Sequence, residues 1–166
     1  MRISYGKNVY GKEEIAAVNK TLKKSTQMGK SVKEFENKIA KNFSKKHGLM
    51  VNSGSSALTL AMKVLNIKKG DEIITPCLNF GTAVSSIVLA QATPIFVDVE
   101  VDTLQINVSK IEEKITKKTK AILIPNLIGN IPDWKKIYEL SKKKNLKIIE
   151  DSADTLGAKI NNKPTS

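Results

Sequence analysis

The segment Asn52-Ser53-Gly54-Ser55-Ser56 places small polar residues between a short apolar run and a helical pattern. The first backbone amides of a helix have no partner within the helix, so they readily bind anions such as phosphate. Ser53 can equally be a simple N-cap. The segment has neither the lysine of a P-loop nor the glycine spacing of a dinucleotide fingerprint. Taken alone, it does not distinguish a phosphate site from a capped helix.

Asp151 directly follows the apolar run Ile148-Ile149 and Glu150. Burying a carboxylate at the end of a strand is costly unless it meets a cation. A protonated pyridine nitrogen is one such cation. The common alternative is an aspartate that caps the turn after the strand.

Phe80 lies in the segment Pro76–Thr82, at the end of another predicted strand, where its ring could stack on a flat cofactor or pack in the core. In a parallel α/β sheet, ligands bind beyond the carboxyl ends of the strands, and the phosphate, aspartate and phenylalanine segments converge there. A phosphate cradle, a stacking aromatic ring and a partner for a pyridine nitrogen are together what pyridoxal phosphate (PLP) requires.

The elements that must position these residues alternate between helix and strand. Apolar spacing predicts helices over 15–22 and 32–43, from Ser53 to 65, over 81–91, and over 132–144. Strands are predicted at 49–52, 72–75, 94–99, 121–124 and 146–150. Ser109 and Glu112 have capping-box spacing and predict a further helix through Ile115. The alternation predicts an α/β fold with a mostly parallel sheet and helices on both faces.

Composition narrows the class of protein. The chain has 166 residues, enough for one domain or a large part of one, and a net charge of +12. Its basic residues are 27 lysines and one arginine, spread without interleaved aromatic residues, which favours a solvated surface over a nucleic-acid site. Cys77 is the only cysteine, and His47 is a lone histidine, so we expect no metal site. We also expect no membrane partner and a cytoplasmic location, since neither a signal peptide nor a spanning segment is evident.

The order of these segments resembles the N-terminal part of the DegT/StrS family of nucleotide-sugar aminotransferases. The resemblance extends over almost the whole chain and is carried by Gly11–Ile15, Asn52–Leu58, Gly70–Pro76, Ala92–Val99, Thr119–Ile122, Ile149–Asp151 and Gly157-Ala158. It implies a partial large domain of the aspartate aminotransferase type, the type I PLP fold. Residues 1–45 would form an N-terminal helical segment and 46–166 part of the cofactor-binding large domain. The rest of that domain and the small C-terminal domain would be absent.

The resemblance also implies roles for individual residues. Gly54, Ser55 and Ser56 would bind the cofactor phosphate. Phe80 would stack on the ring, and Asp151 would pair with the ring nitrogen. Asp154, which occupies a position where many members have Gln or His, would lie near the ring hydroxyl and is the second predicted catalytic residue.

Substrate-binding positions follow from the same resemblance. Asn79 and Thr82 share a loop that would line the sugar pocket, and Asn126 stands where many members have His. Expected partners are a nucleotide sugar, an amino-acid amino donor and, for the complete protein, a second copy in a homodimer. The cofactor would be pyridoxal or pyridoxamine phosphate.

The reaction is left open by one missing position. The lysine that forms the Schiff base in this family, or the histidine that replaces it, would lie beyond Ser166, so we expect this chain alone to be inactive. A lysine would make the protein an aminotransferase acting on a nucleotide-linked keto-sugar in polysaccharide biosynthesis. A histidine would make it a 3-dehydratase of a 4-keto-6-deoxy sugar. A non-catalytic fragment or a ligand-sensing protein on the same fold is a third interpretation.

Overall fold

The computed structural model describes residues 7–165. Five α-helices lie in this range: α1 (Lys12–Lys24), α2 (Lys30–Asn42), α3 (Gly54–Val64), α4 (Gly81–Leu89) and α5 (Trp134–Lys144). The strands are β1 (Glu72–Pro76), β2 (Thr93–Val97), β3 (Thr119–Pro125), β4 (Lys147–Asp151), β5 (Lys159–Ile160) and β6 (Lys163–Pro164). Three short 3₁₀ turns cover Val108–Lys110, Glu112–Lys114 and Leu127–Gly129.

Strands β1 to β4 form one sheet in the order β2-β1-β3-β4, and every pair in it is parallel. The predicted parallel sheet is therefore confirmed. β5 and β6 form a separate antiparallel hairpin. Because β1, β3 and β4 are neighbours and run the same way, their carboxyl ends, Pro76, Pro125 and Asp151, meet at one edge.

Helices cover both faces of the sheet, as the sequence predicted. Successive side chains of a strand point to opposite faces. Accordingly, Ile73 and Leu123 pack with α3 and α4, whereas Ile74 and Ile122 pack on the other face with α5. All four of these side chains are fully buried. The sheet is thus the rigid support of its carboxyl edge.

The helix predicted to begin at Ser109 is wrong: two short 3₁₀ turns lie there instead. Asn107 caps the first turn, because its Oδ1 accepts the Ser109 amide at 3.1 Å. The Glu112 carboxylate lies 3.0 Å from Lys143 and 2.9 Å from Lys144 in α5, so it does not reach back to complete a capping box.

The strand predicted at 49–52 is also wrong. Among the described residues this segment has no strand partner, and it is held against α2 instead. The Met50 amide donates to Glu36 Oε1 at 2.8 Å. Gly48 fits against the same helix so closely that an added Cβ would lie 2.5 Å from the backbone oxygen of Glu36. These contacts fix the chain that leads into α3.

Candidate functional site

A cavity of about 340 Å³ lies at the carboxyl edge of the sheet. Segments that follow β1, β3 and β4 supply its lining, which consists of Leu78, Asn79, Phe80, Pro125, Asn126, Leu127, Ile128, Asp151, Ala153 and Asp154. The walls are mostly apolar. Asp151, at the end of β4, and Asp154, three residues later, add two carboxyl groups to the lining. The structure therefore brings Asn79, Phe80, Asn126, Asp151 and Asp154 together, as the sequence predicted for this edge.

Phe80 stands at the N-terminal end of α4 and is 66% exposed, so it is not a core residue. Asn79 fixes the turn that presents it. The Asn79 side chain accepts the Phe80 amide at 2.7 Å and donates to Thr75 Oγ1, at the end of β1, at 3.0 Å. Asn79 thus positions the phenyl ring through the backbone. Thr82 lies in the first turn of α4 and is not part of the cavity lining.

Asp151 is the last residue of β4 and is partly buried. Its Oδ1 accepts the amide of Ala153 at 3.2 Å. Its backbone oxygen accepts the amide of Asn126, the residue after β3, at 2.9 Å. The parallel pairing of β3 and β4 therefore extends to the point where the Asp151 carboxylate enters the cavity.

Asp154 supports the part of the cavity wall that follows β3. Its Oδ2 accepts the amide of Ile128 at 3.1 Å. Ile128 has φ 52° and ψ 25°, a left-handed conformation that is an outlier for a β-branched residue. Such conformations cost about 1–3 kcal/mol and cluster at functional sites. No sequence signal predicted that Asp154 holds a strained, 60% exposed isoleucine at the rim.

Asn126 belongs to the cavity wall, but its side chain is only 1% exposed. Its Oδ1 accepts Trp134 Nε1 at 2.8 Å, and its Nδ2 lies 2.7 Å from Glu150 Oε1. The amide is therefore already engaged on both sides. Hydrogen bonds within the protein thus engage both ends of the side chain, and the substrate-binding role expected for Asn126 stays a prediction.

Glu150, the residue before Asp151 in β4, is partly buried and does not line the cavity. Its Oε1 also accepts the Ser152 hydroxyl at 2.8 Å, whereas its Oε2 is buried without a partner among residues 7–165. Burial raises the pKa of Tyr138, and the nearby Glu150 charge raises it further. Tyr138 also stacks at an angle on Trp134, with ring centroids 5.6 Å apart. These surroundings therefore favour the neutral form of Tyr138.

The N-terminus of α3 lies beside the same region. Ser53 caps the helix, since its Oγ accepts the Ser56 amide at 3.1 Å. Within the described part of the chain, the amides of Gly54 and Ser55 have no acceptor. Gly54 lines a second cleft, of about 540 Å³, whose lining also includes Ala153. Ala153 lines the first cavity too, so the cleft at Gly54 and the cavity at Asp151 share this residue.

The two serines predicted to bind phosphate are placed differently from Gly54. Ser55 and Ser56 line a shallow groove with Thr59 and Lys63 on the outer side of α3. The Ser56 hydroxyl accepts a hydrogen bond from Ser53 Oγ at 3.1 Å. Among the described residues, the Gly54 and Ser55 amides are therefore unpaired, whereas the Ser56 hydroxyl is engaged by Ser53.

Two features bear on other classes of site. Across residues 7–165, no group of three or more His, Cys, Asp or Glu side chains is arranged to hold a metal ion. No helix in that range has both the length and the apolar character needed to cross a bilayer.

The sequence of this chain is similar to that of known proteins. The profile of the DegT/DnrJ/EryC1/StrS aminotransferase family matches residues 8–166. GDP-perosamine synthase of Escherichia coli O157:H7 is 41% identical over 161 residues, which are 96% of this chain and 44% of that protein. GDP-4-keto-6-deoxy-D-mannose 3-dehydratase of Yersinia pseudotuberculosis is 34% identical over 163 residues, 94% of this chain and 42% of that protein.

A solved structure extends the likeness to three dimensions. E. coli GDP-4-keto-6-deoxy-D-mannose-3-dehydratase with bound hydrated PLP has a TM-score of 0.89 to this chain at 32% identity, covering 96% of this chain and 43% of that one. The chain thus has their fold while spanning less than half the length of these relatives.

Proposed function

Because this chain belongs to the DegT/DnrJ/EryC1/StrS aminotransferase family, we propose that it forms the PLP-binding part of an enzyme that transfers an amino group to a nucleotide-linked keto-sugar. The observation that supports this most is the cavity that joins Phe80 to Asp151 and Asp154 at the ends of β1 and β4. Residues 46–166 would be part of the large domain, and residues 1–45 an N-terminal helical segment. In the described part of that segment, only Glu36 and Ala40 are buried.

The residues present fit the cofactor. A flat ring needs apolar walls, and Phe80 and Ile128 supply exposed apolar side chains at the cavity. A phosphate needs donors, and the unpaired amides of Gly54 and Ser55 at the start of α3 are available for it. The helix dipole adds partial positive charge at that end, which favours an anion.

Each residue has a distinct task in this proposal. When bound, PLP supplies an electron sink for bond breaking next to the amino group. The Asp151 carboxylate holds the proton on the ring nitrogen, and Phe80 orients the ring face. Asp154 holds the rim residue Ile128 and lies near the ring hydroxyl. Gly54, Ser55 and Ser56 anchor the phosphate, chiefly through the backbone.

Fewer contacts support the residues proposed to bind the sugar. Asn79 lines the cavity and fixes Phe80, whereas Thr82 is close in sequence but outside the lining. We keep both as substrate-binding candidates, with Asn79 the stronger. An amino-acid donor, a homodimeric assembly, a cytoplasmic location and a role in polysaccharide biosynthesis complete the proposal.

A second reaction has specific support. Asp154 stands where many family members have Gln or His, and the 3-dehydratase relatives match this chain in sequence and in structure. In that case the protein would use pyridoxamine phosphate to remove the sugar 3-hydroxyl. The cavity described here serves either reaction, because ring stacking and nitrogen pairing are common to both.

Product analysis tests the proposal in the natural protein that carries residues 1–166. The protein is incubated with PLP, L-glutamate and GDP-4-keto-6-deoxymannose, and products are separated by mass. An amino sugar supports transamination, and a 3-deoxy keto-sugar supports dehydration. Phe80→Leu should reduce turnover, whereas Phe96→Leu, an exposed phenylalanine on the edge strand β2, should not. If the protein retains no PLP and forms neither product, the proposal is wrong.

A further inference from the structure

Asn126 contacts the chain on both sides of Asp151. Its backbone amide donates to the Asp151 carbonyl oxygen at 2.9 Å. Its side-chain Nδ2 lies within hydrogen-bond distance of three oxygens in the same segment: Glu150 Oε1 at 2.7 Å, Ser152 Oγ at 3.1 Å and Thr155 Oγ1 at 3.2 Å. One buried side chain thus gathers the residues before and after the carboxylate.

Trp134 fixes the orientation of that amide. The indole N–H can only donate, so the Asn126 atom facing it at 2.8 Å must be the oxygen. The NH₂ group must then face Glu150, whose carboxylate can only accept. Asparagine satisfies both neighbours at once. An aspartate at this position could accept from Trp134 but would place a second carboxylate against Glu150.

The direction of the Asp151 carboxylate depends on the contacts of Asn126 with Glu150 and Trp134. Within the described residues, the only hydrogen bond to its carboxylate comes from the Ala153 amide, at 3.2 Å. The direction of the side chain is therefore set by the backbone from Glu150 to Ala153. In addition to the pairing of β3 with β4, Asn126 links that backbone to the end of β3 and, through Trp134, to α5.

We propose that Asn126 is a positioning residue: it donates to Glu150 and accepts from Trp134, and so holds the Asp151 carboxylate in the direction that pairs with a cofactor ring nitrogen. The inference rests on the proposed function for the identity of the ring. Its structural part, the link from Asn126 to Asp151, can be tested without any cofactor.

The first arm of the test uses the ligand-free protein. Asn126→Asp reverses the donor facing Glu150, and the double variant Asn126→Asp/Glu150→Gln restores one donor and one acceptor at equal net charge. Hydrogen exchange of the Ala153 amide reports whether the Asp151 carboxylate still accepts from it. We expect faster exchange in Asn126→Asp, recovery in the double variant, and no change in Asn130→Asp, a matched substitution on the exposed loop after Asn126.

The second arm measures PLP dissociation constants in a double-mutant cycle with Asp151→Asn. We expect Asn126→Asp to weaken PLP binding by roughly tenfold, the size of effect expected when a hydrogen bond to a charged group is weakened. In the Asp151→Asn background the same change should have little effect, because the two residues act through one contact. Trp134→Phe, which removes the indole donor, provides a second variant if Asn126→Asp does not fold.

The two arms separate the possible failures. Unchanged Ala153 exchange in both Asn126→Asp and Trp134→Phe overturns the positioning role. Equal losses of PLP affinity with and without the Asp151 carboxylate also overturn it, because Asn126 would then act only on general stability. No PLP binding by the parent protein contradicts the proposed function, while the exchange arm still decides the link between Asn126 and Asp151.

Discussion

The candidate site has two halves that are built differently. The strand-end half, made of Asn126 and Glu150–Thr155, is held by side chains that bond to each other beneath the surface. The helix-start half, made of Asn52–Ser56, is exposed at most positions and offers mainly backbone amides. One half depends on particular side chains, and the other on the path of the main chain.

This difference has a physical consequence for mutation. In the strand-end half, one side-chain change leaves buried partners unsatisfied, and that loss is large. In the helix-start half, a serine can change without removing the amides, so binding suffers only if charge or the backbone changes. The helix-start half is instead vulnerable at the contacts that lead into it, at Gly48 and Glu36.

The largest expected effect is in the strand-end half. Asn126→Ala leaves the Trp134 indole without its acceptor and removes one of the two donors to Glu150 Oε1, so we expect the free energy of unfolding to fall by about 2–4 kcal/mol. Asn130→Ala, which loses one exposed hydrogen bond to Thr103, should cost about 1 kcal/mol. Urea denaturation of both variants measures the difference, and equal costs would show that the buried bonds of Asn126 do not make the strand-end half sensitive to mutation.

Gly48→Ala should produce the next largest effect, and it acts on the helix-start half. The added Cβ meets the Glu36 backbone oxygen at 2.5 Å, so α2 or the segment before α3 must move. Overpacking of this kind costs about 1–3 kcal/mol. Gly81→Ala is the control, because nothing lies within 4 Å of its Cβ. A Gly48→Ala protein as stable as the control would show that this contact does not fix the path into α3.

A smaller effect should appear in the dependence of stability on pH. The Met50 amide, which donates to Glu36, holds the pKa of that carboxyl below its usual value, and Lys33 contributes further. A lowered folded-state pKa stabilises the protein above the unfolded-state pKa, and this contribution is lost as pH falls through the folded-state pKa. Denaturation midpoints of Glu36→Gln should therefore approach those of the parent protein at acid pH. A parallel offset at every pH would contradict this.

The smallest expected effect on stability comes from two equivalent helix positions, which should differ in PLP binding. Ser31 and Ser55 are each the second residue of their helix, in α2 and α3. A carboxylate there interacts favourably with the helix dipole, so Ser31→Asp and Ser55→Asp should each gain about 0.3–1 kcal/mol. Only Ser55→Asp should weaken PLP binding, because its charge would repel the phosphate. Equal PLP affinity in both variants, measured by absorbance titration, would exclude the α3 amides as the phosphate site.

The sequence was sufficient for the features that depend on local pattern. Continuous apolar runs located β1 and β3, and strand ends located Phe80 and Asp151 at one edge. It failed where contacts between distant residues decide the structure. Glu112 pairs with Lys143 and Lys144 instead of completing a helix cap, a contact that no local spacing encodes.

The same limit applies to the burial of Asn126 and to the omission of Ile128. The bonds of Asn126 reach Trp134, 8 residues away, and Thr155, 29 residues away, so its burial could not be read from its neighbours in sequence. Ile128 adopts a left-handed conformation that its residue type disfavours, and the Asp154 carboxylate that supports it lies on another strand's loop. Tertiary contacts overrode local preference in both cases.

If the strand-end half pairs with the ring nitrogen of PLP through Asp151, the affinity for PLP should depend on that carboxylate. Spectroscopic titration of the protein with PLP compares Asp151→Asn with Asp102→Asn. Asp102 is an exposed aspartate outside the cavity lining, so the control loses the same charge elsewhere. Loss of a hydrogen bond to a charged group costs about 1.5–3 kcal/mol, so Asp151→Asn should bind PLP roughly tenfold or more weakly, with Asp102→Asn unchanged. Equal PLP affinity in the two variants would show that Asp151 does not pair with the ring nitrogen.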